Sequence, residues 1–392
     1  MYIYLQSAMG LKNKTILITS NEPWGDIWYT KHNYAFELSK NNKVFFLNPP
    51  TNWKPSNLFS NKIVKRELNK NLFVLNYKNY LPLINIKSYG TSDVFGTNRV
   101  NNYLVSNLIK RFFNKEGISE YVLWSFDPQR LYDPYVIGAA FGIFHCADKH
   151  WIHTFGTHIL CKKSNVLFLT SEHLLDEYDC FNLPKYIVPH GISSDQFEIK
   201  QDKANELSIP VSDYGLFIGV IDGRVDYALL EKVLIEFPDQ AFVFVGPLKE
   251  NHIYEESYRL FKKIFIEKAY QNLYHLGPKH FKTLKYYIFR SRFCISFMDP
   301  MWPGNTIGHH KTLVYLAQGK AVFQYRFKDY YGQEDILYMA EEHKSTINQM
   351  RSFLKKGEAK DLVAKRISYA KEKRFDSLIN KIEQYLKTLN FK

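Results

Sequence analysis

The sequence predicts an α/β protein built from two doubly wound domains, and three observations carry that expectation. Short apolar runs, of the kind that buried parallel strands use, alternate with helical segments along most of the chain. A polar stretch from Glu198 to Asp213 interrupts the alternation, and the pattern restarts after it. At 392 residues the chain has room for two or three domains of ordinary size.

The elements follow in order. Thr15-Ile16-Leu17-Ile18-Thr19 reads as a buried strand, followed by a Trp-bearing polar loop from Ser20 to Tyr29. A helix runs through Tyr34, Ala35 and Leu38, and Val44-Phe45-Phe46-Leu47 is the next strand, which closes a β-α-β unit. The first β-α loop is too polar and too poor in glycine to be a G-x-G-x-x-G fingerprint. Residues 51–115 read as an irregular basic and apolar insertion. It ends in an amphipathic helix from Val100 to Phe113, with Leu104, Leu108 and Phe112 on its apolar face.

Strands resume at Tyr121 to Trp124, Gly142 to His145, Val166 to Thr170 and Tyr186 to Pro189. Beyond the polar stretch come strands at Gly215 to Gly219, Ala241 to Gly246, Leu273 to Gly277 and Phe293 to Phe297. Helices are expected from Tyr227 to about Glu236 and from His310 to Gln318, with a further strand beginning at Ala321. A charged helix from about Glu358 to Leu389, broken near Phe375-Asp376, ends the pattern. The expected division is a domain over 1–197, a linker over 198–213, a second domain over 214–372, and a terminal helix over 373–392 that packs back on the first domain.

Composition narrows the function classes. Apolar residues make up 45% and charged residues 23%, which excludes intrinsic disorder as the main state. A net charge of +13 favours an anionic partner, such as a nucleotide, phospholipid, nucleic acid or acidic glycan. The four cysteines form no C-x-x-C pair and make no disulfide scaffold. No apolar run reaches the roughly 20 residues that span a bilayer. Met1 to Gly10 lacks the charge pattern of a signal peptide, so a cytoplasmic location is expected.

Five segments, taken in order, resemble the two-domain GT-B glycosyltransferases, especially the family-4-like enzymes of bacterial surface-polysaccharide assembly. They are Ile16 to Trp24 with His32; Gly142 to Asp148; and Ser171-x-x-Leu174 with Val188-Pro189-His190-Gly191-Ile192 and Phe197. Next come Phe217-Ile218-Gly219 with Arg224-x-Asp226 and Phe244-Val245-Gly246-Pro247. Last is Gly277 to Phe297 with Lys311-x-x-Val314-Tyr315-Leu316-Ala317-x-Gly319-Lys320-Ala321-Val322. The chain departs from the family where His309 replaces a proline, Val314 a glutamate and Ala321 a second proline. In the family that glutamate commonly holds the nucleotide ribose. The resemblance implies two Rossmann-like domains facing across a cleft, a nucleotide-sugar donor as co-substrate, no bound metal and no other cofactor.

The residues admit specific roles. A diphosphate needs cations, free amides and a helix N-terminus. Lys311, Arg224 and the loop Gly304-Asn305-Thr306 through His309 and His310 suit it, with Gly219 and Gly246 in the strand-end segments and Tyr315 on the helix His310 to Gln318. Deprotonating an acceptor hydroxyl needs a base at a strand end, for which Asp148, Asp26 and His145 are candidates. Asp148 reads equally as a helix N-cap and Asp26 as a turn residue. Trp24, Gly25, His32 and His190 are expected beside acceptor or sugar. The run from His145 to Cys161 is rich in histidine and cysteine but matches no usual zinc spacing, so no metal is expected.

The basic, apolar stretch 51–115 is read as a peripheral contact with an anionic membrane surface, beside its alternative as a solvated face. The expected function is transfer of a sugar from a nucleotide donor to a glycan or lipid-linked acceptor in cell-surface polysaccharide assembly. The alternatives are a non-catalytic GT-B-like nucleotide- or glycan-binding protein and, behind it, a basic nucleic-acid-associated protein, to which the net charge of +13 points. Basic charge alone does not specify nucleic acid, and no nucleic-acid partner is expected. Whether transfer inverts or retains the anomeric configuration stays open.

Overall fold

The apolar runs become two parallel sheets. The structure, a computed structural model, describes residues 10–82, 96–147, 154–250, 253–302 and 310–389. The chain divides into unit 1, Met1–His190 with Phe375–Lys392, and unit 2, Gly191–Arg374. The polar stretch 198–213 lies inside unit 2, where it forms the short helix Gln201–Asn205.

Among the described residues, unit 1 carries eight strands: β1 (Thr15–Thr19), β2 (Lys43–Leu47), β3 (Val64–Asn69), β4 (Leu72–Asn76), β5 (Val122–Ser125), β6 (Phe141–Cys146), β7 (Val166–Leu169) and β8 (Lys185–Ile187). Their order is β3-β4-β2-β1-β5-β6-β7-β8, and β3 alone runs antiparallel to its neighbour. Chain order therefore reverses between β1 and β5, where a doubly wound sheet opens a crevice at its carboxyl edge. Strands such as β5 and β6 are buried along their whole length, which is why they read as unbroken apolar runs.

Two expectations for 51–115 change. The stretch extends the sheet through β3 and β4 instead of remaining irregular. Its helix spans Thr97–Lys115 and buries Val105, Ile109 and Phe113, one position away from the predicted face. Polar side chains continue that stripe because the backbone of neighbouring loops satisfies them. Asn101 accepts from Leu81 N–H at 2.8 Å and donates to Leu81 O at 2.9 Å. Asn102 accepts from Leu131 N–H. A pattern search that counts only apolar residues misses such a stripe.

The terminal helix Phe375–Thr388 belongs to unit 1. Phe375, Leu378, Ile382 and Leu386 are buried on it; Phe375, Ile382 and Leu386 share a core cluster with Ile16, Ile18, Tyr34 and Trp124. Fourteen residues make a marginal helix in isolation. Burial of these side chains, at roughly 1.5–3 kcal/mol each, supplies the stability. Tyr385 stacks on Tyr186 at 4.2 Å and donates to Lys185 O at 3.0 Å.

Unit 2 carries six described strands: β9 (Tyr214–Ile218), β10 (Ala241–Val245), β11 (Leu273–His275), β12 (Phe293–Ser296), β13 (Ala321–Tyr325) and β14 (Tyr338–Ala340), all parallel, in the order β11-β10-β9-β12-β13-β14. The reversal lies between β9 and β12. Their pairing is confined to Phe293–Gly215 and Cys294–Leu216, so the two strands part toward their carboxyl ends. The helices Tyr227–Glu236 and His310–Ala317 match the predicted ones closely. The predicted terminal helix is two helices, Asp361–Glu372 and Phe375–Thr388. On the first, the fully buried Arg366 forks onto Glu358 with two 2.6 Å bonds and donates to Ile336 O at 2.8 Å and Gly319 O at 3.3 Å.

Candidate functional site

The parting of β9 and β12 positions the cations of unit 2. Gly219 follows β9 and Gly246 follows β10, with φ of +130° and +155°. Gly219 N–H donates to Val245 O and Gly246 N–H to Gly277 O, each at 3.0 Å. A Cβ on Gly246 would stand 1.8 Å from the Gly219 carbonyl oxygen, so the two strand ends are layered backbone on backbone. Next to them, Lys311 rises from the first turn of the helix His310–Ala317. Its Nζ sits 4.1 Å above the centre of the Phe217 ring and 3.1 Å from Met298 Sδ.

No carboxylate pairs with Lys311 among the described residues. Although part of its side chain meets solvent, burial around the ammonium lowers its pKa to about 7. Repulsion from Arg224 adds to that and attraction to Asp222 opposes it. An ammonium over an aromatic ring and beside a soft sulfur, with no carboxylate paired to it among the described residues, keeps its donors available for an anion.

Arg224 reaches the same strand ends on the loop after β9. Asp222 orients it: Nε and Nη2 each lie 2.9 Å from an Asp222 carboxylate oxygen, in a fork. Tyr227 OH donates to Asp222 O at 2.7 Å. Asp226, of the Arg-x-Asp pattern, caps the helix Tyr227–Glu236 by accepting from Leu229 N–H at 2.8 Å and takes His343 Nε2 at 2.8 Å.

Of the other candidates in unit 2, Tyr315 is corrected. It is fully buried, and its hydroxyl accepts from Ile218 N–H at 2.8 Å, pinning the helix to β9 instead of meeting a ligand. His310 Nε2 lies 3.0 Å from Gly191 O. Gly304, Asn305, Thr306 and His309 lie outside the described residues.

In unit 1 the candidates separate. His145 is corrected as a base facing an acceptor: it is 1% exposed, inside an aromatic box of Tyr34, Trp124, Phe126 and Phe168. Its Nδ1 lies 3.4 Å from Trp124 Nε1. Burial, then the neighbouring His190, pushes its pKa down to about 3, so it stays neutral. His32 is corrected too. Tyr29 N–H donates to its Nδ1 at 3.1 Å and its Nε2–H donates to Pro23 O at 3.1 Å, so both ring nitrogens serve the backbone. Burial holds it near 4, against those two bonds.

His32 thereby shapes the loop that presents Trp24, Gly25 and Asp26. Trp24 packs against Trp28, His32 and Phe46, while Gly25 and Asp26 stay exposed. His190 is half-buried after β8. Asp148 lies outside the described residues.

Sequence reasoning missed two groups. Asp222 stands two residues before Arg224, a spacing that hints at a fork. The buried Asp127, at the carboxyl end of β5, accepts from Arg130 and from Gln129 N–H at 2.9 Å. It lies at the β1/β5 reversal, where Thr19 donates to Ser125 at 3.0 Å. Among the described residues no group of three or more His, Cys, Asp or Glu is placed to hold a metal ion, and no helix is long and apolar enough to cross a membrane.

This architecture is the GT-B fold: two Rossmann-like units with parallel sheets, matched over nearly the whole chain by solved structures. An E. coli trehalose-6-phosphate structure bound with UDP-2-fluoro glucose aligns with a TM-score of 0.70 at 11% identity, covering 96% of this chain and 99% of that one. Sucrose-phosphate synthase from Thermosynechococcus elongatus aligns at 0.66 with 12% identity, covering 96% and 99%. A UDP-forming α,α-trehalose-phosphate synthase from Burkholderia xenovorans aligns at 0.67 with 12% identity, covering 97% and 100%. No protein-family model and no curated protein sequence matches the chain. At such identities the likeness speaks for the fold.

Proposed function

We propose that the chain is a glycosyltransferase that uses a nucleotide-sugar donor. The observation that carries this reading is Lys311: a cation with no paired carboxylate among the described residues, at the first turn of a helix, beside the glycine-layered strand ends of unit 2. Lys311 and Arg224 hold the diphosphate, and Lys311 takes up the negative charge that the leaving nucleoside diphosphate develops. In the transfer the acceptor hydroxyl oxygen bonds to the anomeric carbon and the bond from that carbon to the phosphate oxygen breaks. The acceptor proton passes to a base or to the departing phosphate. The fold's likeness to structures described as UDP-forming synthases and as bound with UDP-2-fluoro glucose supports a donor of this class.

On the acceptor side we propose a glycan or lipid-linked acceptor of surface-polysaccharide assembly, met at the cytoplasmic face of a membrane. The support is in unit 1, where Phe59 is 93% exposed beside exposed Leu58, Val64, Lys62, Arg66 and Lys70. The solved structures named above concern sugar-phosphate products, so a soluble sugar phosphate is the acceptor to test in parallel.

A second reading has its own observation. Val314, in place of the family's ribose-holding glutamate, is buried in the apolar core of unit 2 and offers the ribose nothing. That favours a binding protein without turnover. Calorimetry with UDP, GDP, ADP and CMP, on wild type and Lys311→Ala, tests the donor site. Saturable binding of one nucleotide that the substitution weakens at least tenfold is expected; no binding of any of the four sinks the reading. Release of nucleoside diphosphate from its sugar conjugate then separates enzyme from binder.

A further inference from the structure

Three loops at the carboxyl edge of unit 2 are laced together. Ile221, on the loop after β9, bridges to Leu248 on the loop after β10, and Lys249 N–H donates to Ile221 O at 2.9 Å. Val225, further along the same middle loop, bridges to Met298 after β12, and Asp299 N–H donates to Arg224 O at 2.8 Å. The middle loop, which carries Arg224, is thus flanked on both sides. The outer loops meet through two aromatic rings: Tyr254 and Trp302 stand 5.5 Å apart, inclined at 59°.

This pair does not pack as a core would. Tyr254 is 61% exposed and Trp302 is only half-buried. Trp302 is nevertheless fixed, since its backbone N–H donates to Asp299 O at 3.2 Å, one turn beyond the bond that ties Asp299 to Arg224. Neither the Tyr254 hydroxyl nor the Trp302 indole N–H has a hydrogen-bond partner among the described residues. Open aromatic faces with free donors, on loops laced to the one that carries Arg224, match a neutral polyhydroxylated ring. Its C–H face stacks on an aromatic ring and its hydroxyls accept from an indole or phenol. That part of a donor carries no charge, so the attraction that holds the diphosphate does not select it.

We propose that Tyr254 and Trp302 form the ledge on which the sugar ring of the donor stacks, and that they set sugar preference. The inference rests on the donor-site reading of Lys311 and Arg224 and extends it from the diphosphate to the transferred hexose.

The test compares nucleotide with nucleotide sugar. Wild type, Trp302→Ala, Trp302→Phe and Tyr254→Ala are titrated calorimetrically with UDP and GDP, and with UDP-glucose, UDP-N-acetylglucosamine and GDP-mannose. Trp302→Ala is expected to weaken the best-bound nucleotide sugar about three- to tenfold while its bare nucleotide changes less than about twofold. Trp302→Phe keeps most of the sugar affinity because it keeps a ring. Equal weakening of nucleotide and nucleotide sugar, or no weakening of either by the Trp302 and Tyr254 substitutions, overturns the ledge. If wild type binds nucleotides in a Lys311-dependent way, that failure leaves the donor site standing. If wild type binds none of the five compounds, and neither ADP nor CMP, both fall together.

Discussion

Raising the pH from 7 to 9 weakens binding of a nucleoside diphosphate, and the size of the effect follows from where Lys311 sits. The ammonium lies over Phe217 and against Met298 Sδ, with no paired carboxylate among the described residues, and burial brings its pKa to about 7. In the free protein, then, about half the molecules carry the charge at pH 7 and about one in a hundred at pH 9. A bound diphosphate restores the charge by pairing with it, so binding takes up a proton across this window. If the protein binds only with Lys311 charged, affinity falls about fifty-fold between pH 7 and 9, with uptake rising toward about one proton per site; if the neutral form keeps a tenth of the affinity, the fall is about fivefold. The window lies above the titration of the terminal phosphate, near pH 6, so the charge on the diphosphate itself barely changes.

Stability moves the opposite way. A lysine whose folded pKa lies below its unfolded value of about 10.4 leaves the folded state holding fewer protons between pH 7 and about 10.4. The unliganded protein therefore gains stability as pH rises. Calorimetry in two buffers of different ionisation enthalpy measures affinity and proton uptake together, with Lys311→Met as the flat control. Unchanged affinity from pH 7 to 9 with no proton uptake in wild type would refute the reasoning.

Three further outcomes follow from the packing. Arg366→Met leaves the half-buried Glu358 and two carbonyl groups without their buried donor and should cost about 1–3 kcal/mol in denaturant unfolding. A cost below about 1 kcal/mol would show that the fork is dispensable. Gly246→Ala places a methyl group on the Gly219 carbonyl in a left-handed backbone position. It should destabilise unit 2 by about 1–3 kcal/mol and lower nucleotide affinity, as thermal unfolding and calorimetry would read. His145→Phe keeps a ring in the aromatic box and loses one long bond from Trp124. Transfer activity should stay within about twofold and stability within about 1 kcal/mol; a hundredfold loss of activity would return His145 to the chemistry.

Much of the sheet architecture was legible because buried parallel strands are apolar along their whole length, as β5 and β12 are. The edge strand β3 was not, since Val64–Asn69 is exposed throughout and its sequence carries no apolar alternation. Unit 2's cations were legible from chain position alone: Lys311 opens a helix and Arg224 follows a strand. What each touches was not, because the Phe217 ring, Met298 sulfur and Asp222 fork depend on loops meeting in space. His145 misled for a related reason. A histidine at a strand end looks available for catalysis, whereas here the strand is buried through Cys146 and aromatic rings from neighbouring elements enclose the imidazole.

The return of the helix Phe375–Thr388 to unit 1 has a consequence during synthesis. The polypeptide leaves unit 1 after His190 and comes back only at Phe375. At about 5–20 residues per second, roughly 10–40 s separate those two points. Throughout that interval the nascent first unit has Tyr34, Ile16 and Trp124 without the Phe375, Ile382 and Leu386 that complete their cluster. Unit 2, contiguous in the chain, faces no such wait. The order of completion on the ribosome is thus the reverse of the order of the genetic message: the half translated first finishes last. Until it does, it carries an uncovered apolar face that a chaperone would recognise.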